Sequence, residues 1–144
     1  MQEVFNYIDG LFSPSVDGGH LENLNPATGE VISTIPRSLQ ADVEHAASAA
    51  LRAQPAWNAL SLKQRALWLD RIADALEEKH EHIAQSESLD TGKPIALARR
   101  VDAARSVDNF RFFAEFAREQ TEMTFKMDDA MNYVHRNGLG VVGL

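Results

Sequence analysis

One long helical pattern, over residues 94–117, constrains the fold more than any other part of the sequence. At 3.6 residues per turn, one face of this helix is apolar and carries Ala103, Val107, Phe110, Ala114 and Ala117. A second face carries Asp102, Arg105, Asn109, Phe112 and Phe116, and a solvent-type strip carries Asp108, Arg111, Glu115 and Arg118. The helix is therefore apolar on two sides, and one of those sides places an arginine and an amide among phenylalanines.

Two β-hairpins are predicted in the first third of the chain. Asp9-Gly10 separates the apolar runs 4–8 and 11–12, and an Asp-Gly pair at such a point is a strong signal for a two-residue hairpin turn. Runs 21–24 and 31–35 predict a second hairpin, because Pro26 and Gly29 lie in the turn between them.

Two further helices are predicted in the middle of the chain. The first begins after an N-cap at Ser38 and ends before Pro55, and its stripe at helical spacing comprises Leu39, Val43, Ala46, Ala47, Ala50 and Leu51. The second opens with a capping box between Ser61 and Gln64, and its predicted buried stripe comprises Leu69, Ile72, Ala73, Leu76 and, after a possible break, Ile83. Gly92 then offers a C-terminal cap, and Pro94 suits a first helical position.

The last residues predict a polar loop at 121–130 and a strand at 131–137. Glycines at 138 and 140 end that strand, and residues 141–144 begin an apolar run of the kind found in strands buried on both faces. Because this run stops almost as soon as it begins, the chain is expected to be the N-terminal segment of a longer protein.

Charge and composition exclude several classes of function. The 144 residues carry a formal net charge of -7, so neither nucleic acid nor an anionic membrane surface is expected as a partner. The absence of cysteine excludes disulfides, thiolate metal sites and a cysteine nucleophile within this chain, and it is typical of a reducing compartment. With no signal peptide and no apolar run of about 20 residues, a cytoplasmic location is expected.

Arg105 is the strongest candidate for a binding residue. A guanidinium group on an aromatic-lined face can bind a carboxylate through two parallel hydrogen bonds, and a low local dielectric strengthens that pairing. The alternative is a structural role, either an intrahelical contact with Asp102 or Asn109 or an ion pair with a neighbouring element. The residues alone leave both interpretations open.

Three weaker signals concern ions. Asp90 lies at a tight junction, where a carboxylate can bind a monovalent cation together with backbone carbonyls. The same junction, residues 90–94, superficially suggests a phosphate-binding turn beside Lys93, although a glycine-capped connector between helices explains it better. His80 and His82 point about 200° apart on a helix, so they do not predict a shared metal.

An ordered series of short motifs resembles the N-terminal part of the NAD(P)-dependent aldehyde dehydrogenases. Its members are Tyr7-Ile8-Asp9-Gly10, Asn25-Pro26-Ala27-Thr28-Gly29-Glu30-Val31, Pro55-Ala56-Trp57, Arg65-Ala66-Leu67-Trp68-Leu69, Glu87-Ser88-Leu89-Asp90-Thr91-Gly92-Lys93-Pro94 and Arg136-Asn137-Gly138-Leu139-Gly140-Val141-Val142-Gly143. Within the family, Ala98-Arg99 and residues 106–114 look most like the muconic semialdehyde dehydrogenases.

The resemblance implies an α/β fold, the N-terminal portion of an aldehyde dehydrogenase-like fold. Short N-terminal β-hairpins come first, then helices, then the start of a Rossmann-like parallel sheet. Residues 1–130 would belong to the cofactor-binding domain, residues 131–137 would form the first strand of the oligomerisation sheet, and residues 138–144 would begin a truncated core strand. The resemblance also implies that the full-length protein uses NAD or NADP and forms a homodimer or homotetramer.

The resemblance implies a reaction but no catalytic residue in this chain. Family members use a cysteine thiolate, a glutamate and an oxyanion-hole asparagine, and all three would lie downstream. No residue here is therefore assigned a catalytic or cofactor-binding role, and the chain alone is expected to be inactive. The implied reaction of the full-length protein is oxidation of a small aldehyde that carries a carboxylate, 2-aminomuconic or 2-hydroxymuconic semialdehyde, to the acid.

Two site assignments follow from the resemblance. Arg105 falls where the muconic semialdehyde branch places an arginine that meets the substrate carboxylate in the entry channel. Asp90, with the backbone carbonyls of Asn23 and Leu24, falls where several family members bind a structural monovalent cation.

Two other interpretations stay open. The chain could come from another aldehyde dehydrogenase, of the betaine aldehyde or succinic semialdehyde type, which an Arg105→Ala change in the complete enzyme would distinguish. It could also be a non-catalytic module that binds full-length subunits through residues 131–137.

Overall fold

The computed structural model describes residues 2–121 and 123–143, and it has strands first, then helices, then two more strands. The first strands are β1 (Gln2–Glu3), β2 (Asn6–Ile8), β3 (Leu11–Ser13), β4 (His20–Leu24) and β5 (Val31–Pro36). The helices are α1 (Gln40–Asn58), α2 (Leu62–Glu78), α3 (His80–Thr91), the short α4 (Ile95–Leu97), a π-helical segment (Ala98–Ala103) and α5 (Ala104–Glu119). They are followed by β6 (Thr124–Lys126) and β7 (Met131–Tyr133). The α/β class predicted from the sequence is confirmed.

Both predicted N-terminal hairpins are present. Strands β2 and β3 pair antiparallel with Ile8 opposite Leu11. Asp9 and Gly10 have φ angles of 54° and 82°, and positive values at both central residues are what a tight type I′ hairpin turn requires. Strands β4 and β5 form the second hairpin, and Gly29 in its turn has a φ of 74°.

A short third strand completes the sheet that contains the second hairpin. Strand β1 pairs parallel to β5, with Gln2 opposite Ser33, so the strand order is β1-β5-β4. The amide of Val4 extends this pairing by donating to the Thr34 carbonyl at 2.9 Å. The sequence did not predict β1, because two residues are too few to show an alternating pattern.

Helix α1 differs from its prediction at both ends. Its N-cap is Leu39 rather than Ser38, and the Leu39 amide donates to the Asp42 carboxylate at 2.8 Å. The Ser38 hydroxyl is instead hydrogen-bonded to the Asn6 side chain. The predicted stop before Pro55 is also wrong, because the missing Pro55 amide removes only one hydrogen bond near the helix end, and Ala59 N–H still donates to the Pro55 carbonyl at 3.1 Å.

The predicted apolar stripe of α1 exists but is not buried. Val43 and Leu51 are 63% and 56% exposed, and the only buried residue of the helix is Asp42. Strand β2 contacts a small part of this face, near Val43 and Ala46. The spacing therefore identified the apolar face of α1 correctly, while the described chain leaves most of that face exposed.

Helices α2 and α5 form the most extensive helix–helix contact of the described residues. Ala66 and Ala73 of α2 are buried, as are Val107 and Ala114 of α5. This confirms the first apolar face predicted for the long helix. The buried stripe predicted for α2 is confirmed only in part, because Ala73 is buried and Leu69 and Leu76 are half-buried, but Ile72 is 40% exposed. The predicted capping box at the start of α2 is also confirmed, since Ser61 N–H donates to Gln64 Oε1 at 2.8 Å and Gln64 N–H to Ser61 Oγ at 3.3 Å.

The sequence predicted one regular helix over residues 94–117, but the helix in the structure is irregular in its first part. Between Ala98 and Ala103 it has π-helical geometry, in which hydrogen bonds join residues five apart. In an α-helix these two alanines would point about 140° apart, whereas the π geometry turns both toward α3. Ala98, Ala103 and Ala84 of α3 are completely buried and form one cluster.

The junction between α3 and the long helix is closed by a glycine. Gly92 caps α3 with a left-handed φ of 72°, as predicted, while Pro94 is an N-cap rather than a first helical residue. A Cβ atom on Gly92 would lie 3.0 Å from both Ala27 N and Pro26 Cγ. The glycine therefore lets the turn of the second hairpin pack against the end of α3.

The C-terminal residues differ from the prediction in extent. Strand β6 lies inside the predicted polar loop and pairs antiparallel with β7, which covers only the first three residues of the predicted strand 131–137. Residues 138–143 form no strand, because a strand needs a neighbour for its backbone hydrogen bonds and the described chain offers none there. Leu144, the end of that predicted run, lies outside the described residues.

In the described part of the chain, no helix combines the length and apolar character needed to cross a membrane.

Candidate functional site

Arg105 lies near the start of α5, and its side chain is exposed. Regular α-helical geometry from Ala104 onward places Asn109, Phe112 and Phe116 on the same side of the helix as Arg105. The second predicted face of the long helix is therefore present from Arg105 onward.

Three phenylalanines form an exposed aromatic cluster on and beside this face. The rings of Phe112 and Phe116 stack with centroids 6.4 Å apart, and the ring of Phe113 meets Phe112 edge-on at 5.2 Å. Phe112 is 60% exposed and the other two rings are more than half exposed. A cation and an aromatic surface thus lie on the same face of α5, with Arg105 and Phe112 two helical turns, about 10 Å, apart. This arrangement suits a ligand with both a carboxylate and an apolar or conjugated part.

The structural alternative for Arg105 is not realised among the described residues. No carboxylate in this part of the chain lies within 4.0 Å of its guanidinium group, whereas four other arginines, Arg52, Arg99, Arg111 and Arg118, do form ion pairs. Asp102, one of the two proposed intrahelical partners, is paired with Lys93 Nζ at 2.9 Å instead. Within the described residues, the Arg105 guanidinium group therefore has no carboxylate partner.

Asp90 and Asn23 meet at the boundary between the sheet and α3. Asn23 Nδ2 donates to Asp90 Oδ1 at 2.7 Å and lies 3.2 Å from the hydroxyl of Ser33, which is buried. The pairing of β4 with β5 is irregular between Asn23 and Leu24. The structure thus brings Asp90 beside the strand that contains Asn23 and Leu24, with an amide on one carboxylate oxygen.

A cavity of about 420 Å³ lies next to this junction. Its lining combines apolar side chains (Val4, Ile32, Ile83 and Leu89) with polar ones (Asn23, Ser33, His82, Glu87 and Asp90), and most of the polar side chains offer oxygen atoms. Oxygen ligands of this kind suit a hard cation. No group of three or more His, Asp or Glu side chains positioned to hold a metal ion was found in the residues that the structure describes, so a cation here would depend on backbone carbonyls.

Lys93 has a structural role rather than a phosphate-binding one. Its ammonium group donates to Glu87 at 2.7 Å and to Asp102 at 2.9 Å. These two hydrogen bonds raise the pKa of Lys93, chiefly through Glu87. The three side chains join α3, the junction and the π-helical segment, which supports the interpretation of residues 90–94 as a connector.

Arg99 forms the best-aligned ion pair in the described structure. Its Nε and Nη2 atoms donate to the two oxygens of Glu81, each at 2.7 Å. The hydrogen bonds from Arg99, with a further one from Gln85, lower the pKa of Glu81 to about 2. This pair joins the first turn of α3 to the π-helical segment and so helps to hold the start of α5 in place.

Sequence reasoning missed two side chains that the structure singles out. Asp42 is buried and accepts hydrogen bonds from the amides of Val16 and Leu39, both at 2.8 Å. An acidic residue three positions after an N-cap is the signal that would have identified it. Arg65 has a buried Nε atom without a hydrogen-bond partner in the described chain, and no sequence signal distinguishes it from an ordinary surface arginine.

Comparison with protein families gives a match over almost the whole chain. The model described as "Aldehyde dehydrogenase family" matches residues 12–144. This range includes every candidate site residue named above.

Two curated relatives are muconic semialdehyde dehydrogenases. The chain is 42% identical over 141 residues to 2-aminomuconic semialdehyde dehydrogenase from Homo sapiens, which covers 96% of this chain and 28% of the relative. It is 35% identical over 150 residues to 2-hydroxymuconic semialdehyde dehydrogenase from Pseudomonas sp. (strain CF600), which covers 100% of this chain and 31% of that protein. The chain thus spans less than a third of the length of either relative.

A solved structure shares the fold. The crystal structure of PnpE in complex with nicotinamide adenine dinucleotide superimposes with a TM-score of 0.83 at 40% identity, covering 92% of this chain and 27% of that one. PnpE comes from Pseudomonas sp. WBC-3. With sequence motifs, family model and fold in agreement, the chain belongs to the aldehyde dehydrogenase family.

Proposed function

We propose that this chain is the N-terminal segment of an NAD(P)-dependent aldehyde dehydrogenase that oxidises a carboxylate-bearing semialdehyde. The proposed substrate is 2-aminomuconic or 2-hydroxymuconic semialdehyde, and Arg105 would bind its carboxylate. The observation that carries this proposal is an exposed Arg105 beside an aromatic cluster, with no carboxylate of the described chain in reach. The names of the two muconic semialdehyde dehydrogenase relatives support the same substrate class.

The chemistry of the substrate fits the two parts of this surface. A guanidinium group binds a planar carboxylate through paired hydrogen bonds. The phenylalanine rings offer an apolar surface to the unsaturated carbon chain that separates the carboxylate from the aldehyde. A neutral short aldehyde would use neither the charge nor the full aromatic surface.

The catalytic step is proposed to need residues beyond these 144. The family reaction begins with a cysteine thiolate, and this chain contains no cysteine. We therefore propose that the chain alone is inactive and contributes substrate binding, not chemistry. Within the longer protein, residues 1–130 would be part of the cofactor-binding domain, residues 131–137 would begin the sheet that joins subunits of a homodimer or homotetramer, and residues 138–144 would begin a core strand.

A structural monovalent cation is proposed at Asp90. The second carboxylate oxygen of Asp90 and the backbone carbonyls of Asn23 and Leu24 would be its ligands. The contact between Asn23 and Asp90 and the irregular strand pairing at Leu24 support this placement. The amide already bound to Asp90 means that a cation would share this carboxylate with Asn23.

A chimeric enzyme tests the proposed function directly. Residues 1–144 would replace the matching segment of the Pseudomonas 2-hydroxymuconic semialdehyde dehydrogenase, so that the relative supplies the catalytic residues. The chimera is expected to oxidise 2-hydroxymuconic semialdehyde with NAD. If the chimera buries the substrate carboxylate against Arg105, Arg105→Ala should then lower kcat/KM for this substrate by the equivalent of roughly 2–5 kcal/mol, the cost of leaving a buried charge unpaired.

Two controls separate substrate binding from folding. Arg100→Ala removes the same charge from an exposed position and should leave kcat/KM unchanged. Acetaldehyde has no carboxylate, so Arg105→Ala should not alter its oxidation. An equal loss for both aldehydes would assign Arg105 a structural role, and no loss for either would contradict the proposed substrate class.

A further inference from the structure

A separate cavity of about 220 Å³ lies at the other end of α5. It is enclosed by the start of α2, the residues that follow α5 and the residues that follow β7; its lining residues are Leu62, Arg65, Gln120, Thr121, Val134, His135 and Arg136. Because Gln120 is fifteen residues after Arg105, the two sites are about 22 Å apart along the helix axis. The cavity is therefore remote from Arg105, although Gln120 is only four residues, about 6 Å, beyond Phe116 at the end of the aromatic cluster.

The described lining of this cavity is basic in a chain that is acidic overall. Two arginines and a histidine contribute to it, and none of its lining residues is an aspartate or a glutamate, although the chain has a net charge of -7. Leu62 is the first residue of the seventeen-residue helix α2, whose N-terminus adds a partial positive charge. The electrostatics of the cavity thus favour an anion.

Arg65 is incompletely satisfied in the described structure. Its Nε atom is buried and has no hydrogen-bond partner there, and no carboxylate of the described chain pairs with it, in contrast to Arg111 and Arg118 at the α2–α5 contact. A buried donor without a partner is destabilising. Since the charge is delocalised over the guanidinium group, an anion against its other N–H groups would compensate this cost.

Arg136 is held at the cavity by a hydrogen bond that leaves most of its donors unused. Its Nη1 atom donates to the Thr121 carbonyl at 3.3 Å. A guanidinium group has five donors, so the remaining ones can face an anion. Arg136 comes from the segment after β7 and Arg65 from α2, so an anion between them would join two elements that are distant in sequence.

We propose that this cavity binds a small oxyanion, a phosphate or a carboxylate, between Arg65 and Arg136. A carboxylate is planar and a phosphate is tetrahedral, but each presents a pair of oxygens that a guanidinium group can bind through two hydrogen bonds. The bound anion would hold the segment after β7 against helices α2 and α5. The proposal does not depend on the substrate proposed for Arg105.

Thermal unfolding of the 144-residue chain tests the site with inorganic phosphate and acetate as probes. A ligand that binds only the folded state raises Tm in a saturable way. Phosphate or acetate should therefore raise Tm more than sodium chloride does at equal ionic strength, and the more effective of the two identifies the preferred oxyanion. If neither exceeds sodium chloride, the proposal is overturned.

Variants locate the effect. Arg65→Met keeps the apolar stem without the charge, and it should weaken phosphate or acetate binding at least about tenfold, as expected for loss of a charged hydrogen-bonding group. Lys63→Met makes the same charge change at an exposed position on the same helix and should leave binding unchanged. Equal weakening in both variants would show a general charge effect and contradict the site.

A substitution at Arg136 tests the same site even if the Arg65 variant does not fold. Arg136 is exposed, so Arg136→Met should fold and should also lose the oxyanion-dependent rise in Tm. Arg65→Lys should restore part of the binding, because an ammonium retains the charge but lacks the paired donors. Undiminished binding in Arg136→Met would overturn the proposed placement between the two arginines.

Discussion

Helix α1 and the α2–α5 pair carry the same kind of sequence pattern with opposite outcomes. Each helix has apolar residues at helical spacing. On α2 and α5, alanines and a valine at those positions are buried against each other. On α1, Val43 and Leu51 remain more than half exposed, and the one buried residue is the carboxylate of Asp42.

The difference shows what an amphipathic pattern can and cannot predict. Periodicity identifies which face of a helix is apolar, because it depends only on the geometry of that helix. Burial depends on whether another element of the same chain lies against the face. Helices α2 and α5 supply that element for each other, while α1 meets β2 over a small area and otherwise makes polar contacts, such as those of Asp42 with Val16 and of Arg52 with Asp9. Polar contacts therefore hold α1 against the rest of the chain. Helices α2, α3 and α5 are instead held together mainly by apolar contacts, with ion pairs at the edge.

The largest expected effect comes from overfilling the alanine cluster. Ala103→Leu adds three carbons where Ala84 and Ala98 leave no exposed surface, and such overpacking typically costs about 1–3 kcal/mol of unfolding free energy, occasionally more. We expect about 3 kcal/mol here, measured by urea unfolding followed by circular dichroism.

The matched control places the same substitution on α1. Ala50 belongs to the apolar stripe of α1 but is exposed, so Ala50→Leu should change the unfolding free energy by no more than about 0.5 kcal/mol. Similar losses in the two variants would mean that the contrast between the two regions is wrong, since the α1 stripe would then be as tightly packed as the alanine cluster.

Much of the fold was predictable, because its signals are local. The Asp9-Gly10 turn, the Ser61–Gln64 capping box and the Gly92 cap each depend on a few adjacent residues, and all three were predicted correctly. The π-helical segment, strand β1 and the continuation of α1 past Pro55 were not predicted. The first two depend on packing or pairing with residues outside the segment, as in the burial of Ala98 and Ala103 against Ala84. The continuation past Pro55 is local, and it was missed because a proline near a helix end costs only one hydrogen bond.

The candidate sites were predictable to a different degree. Arg105 and its aromatic neighbours lie on one helix, so helical periodicity was enough to group them. The contact between Asp90 and Asn23 joins residues 67 positions apart, and only the resemblance to a family suggested it. Arg65 and Arg136 are even more distant along the chain, and nothing in the pattern of either segment indicates that they line one cavity.

The polar attachment of α1 leads to a second prediction. Asp42→Ala leaves the amides of Val16 and Leu39 without their acceptor. Losing the partner of a buried donor costs about 1–3 kcal/mol, and we expect about 2 kcal/mol, again by urea unfolding. Glu44→Ala, which removes an exposed carboxylate that contacts only Gln40, should cost a few tenths of a kcal/mol, in line with other i,i+4 pairs. Equal effects would argue against a specific role for Asp42.

The smallest expected effect concerns the ion pair between Glu81 and Arg99 at the edge of the α3 contact. The pKa of Glu81 is lowered from 4.5 to about 2 in the folded chain, so its ionised form stabilises the fold above the unfolded pKa, and this contribution is lost as pH falls through the folded pKa. Glu81→Gln should therefore lower Tm slightly at neutral pH, and the difference from the unmodified chain should shrink between pH 4.5 and about pH 2.

Glu78→Gln, at an exposed carboxylate without an ion pair in the described chain, should show no such dependence. A Glu81→Gln difference that stays constant across this range would mean that the side chain acts through packing rather than charge, and the edge of the helical body would then resemble its apolar centre.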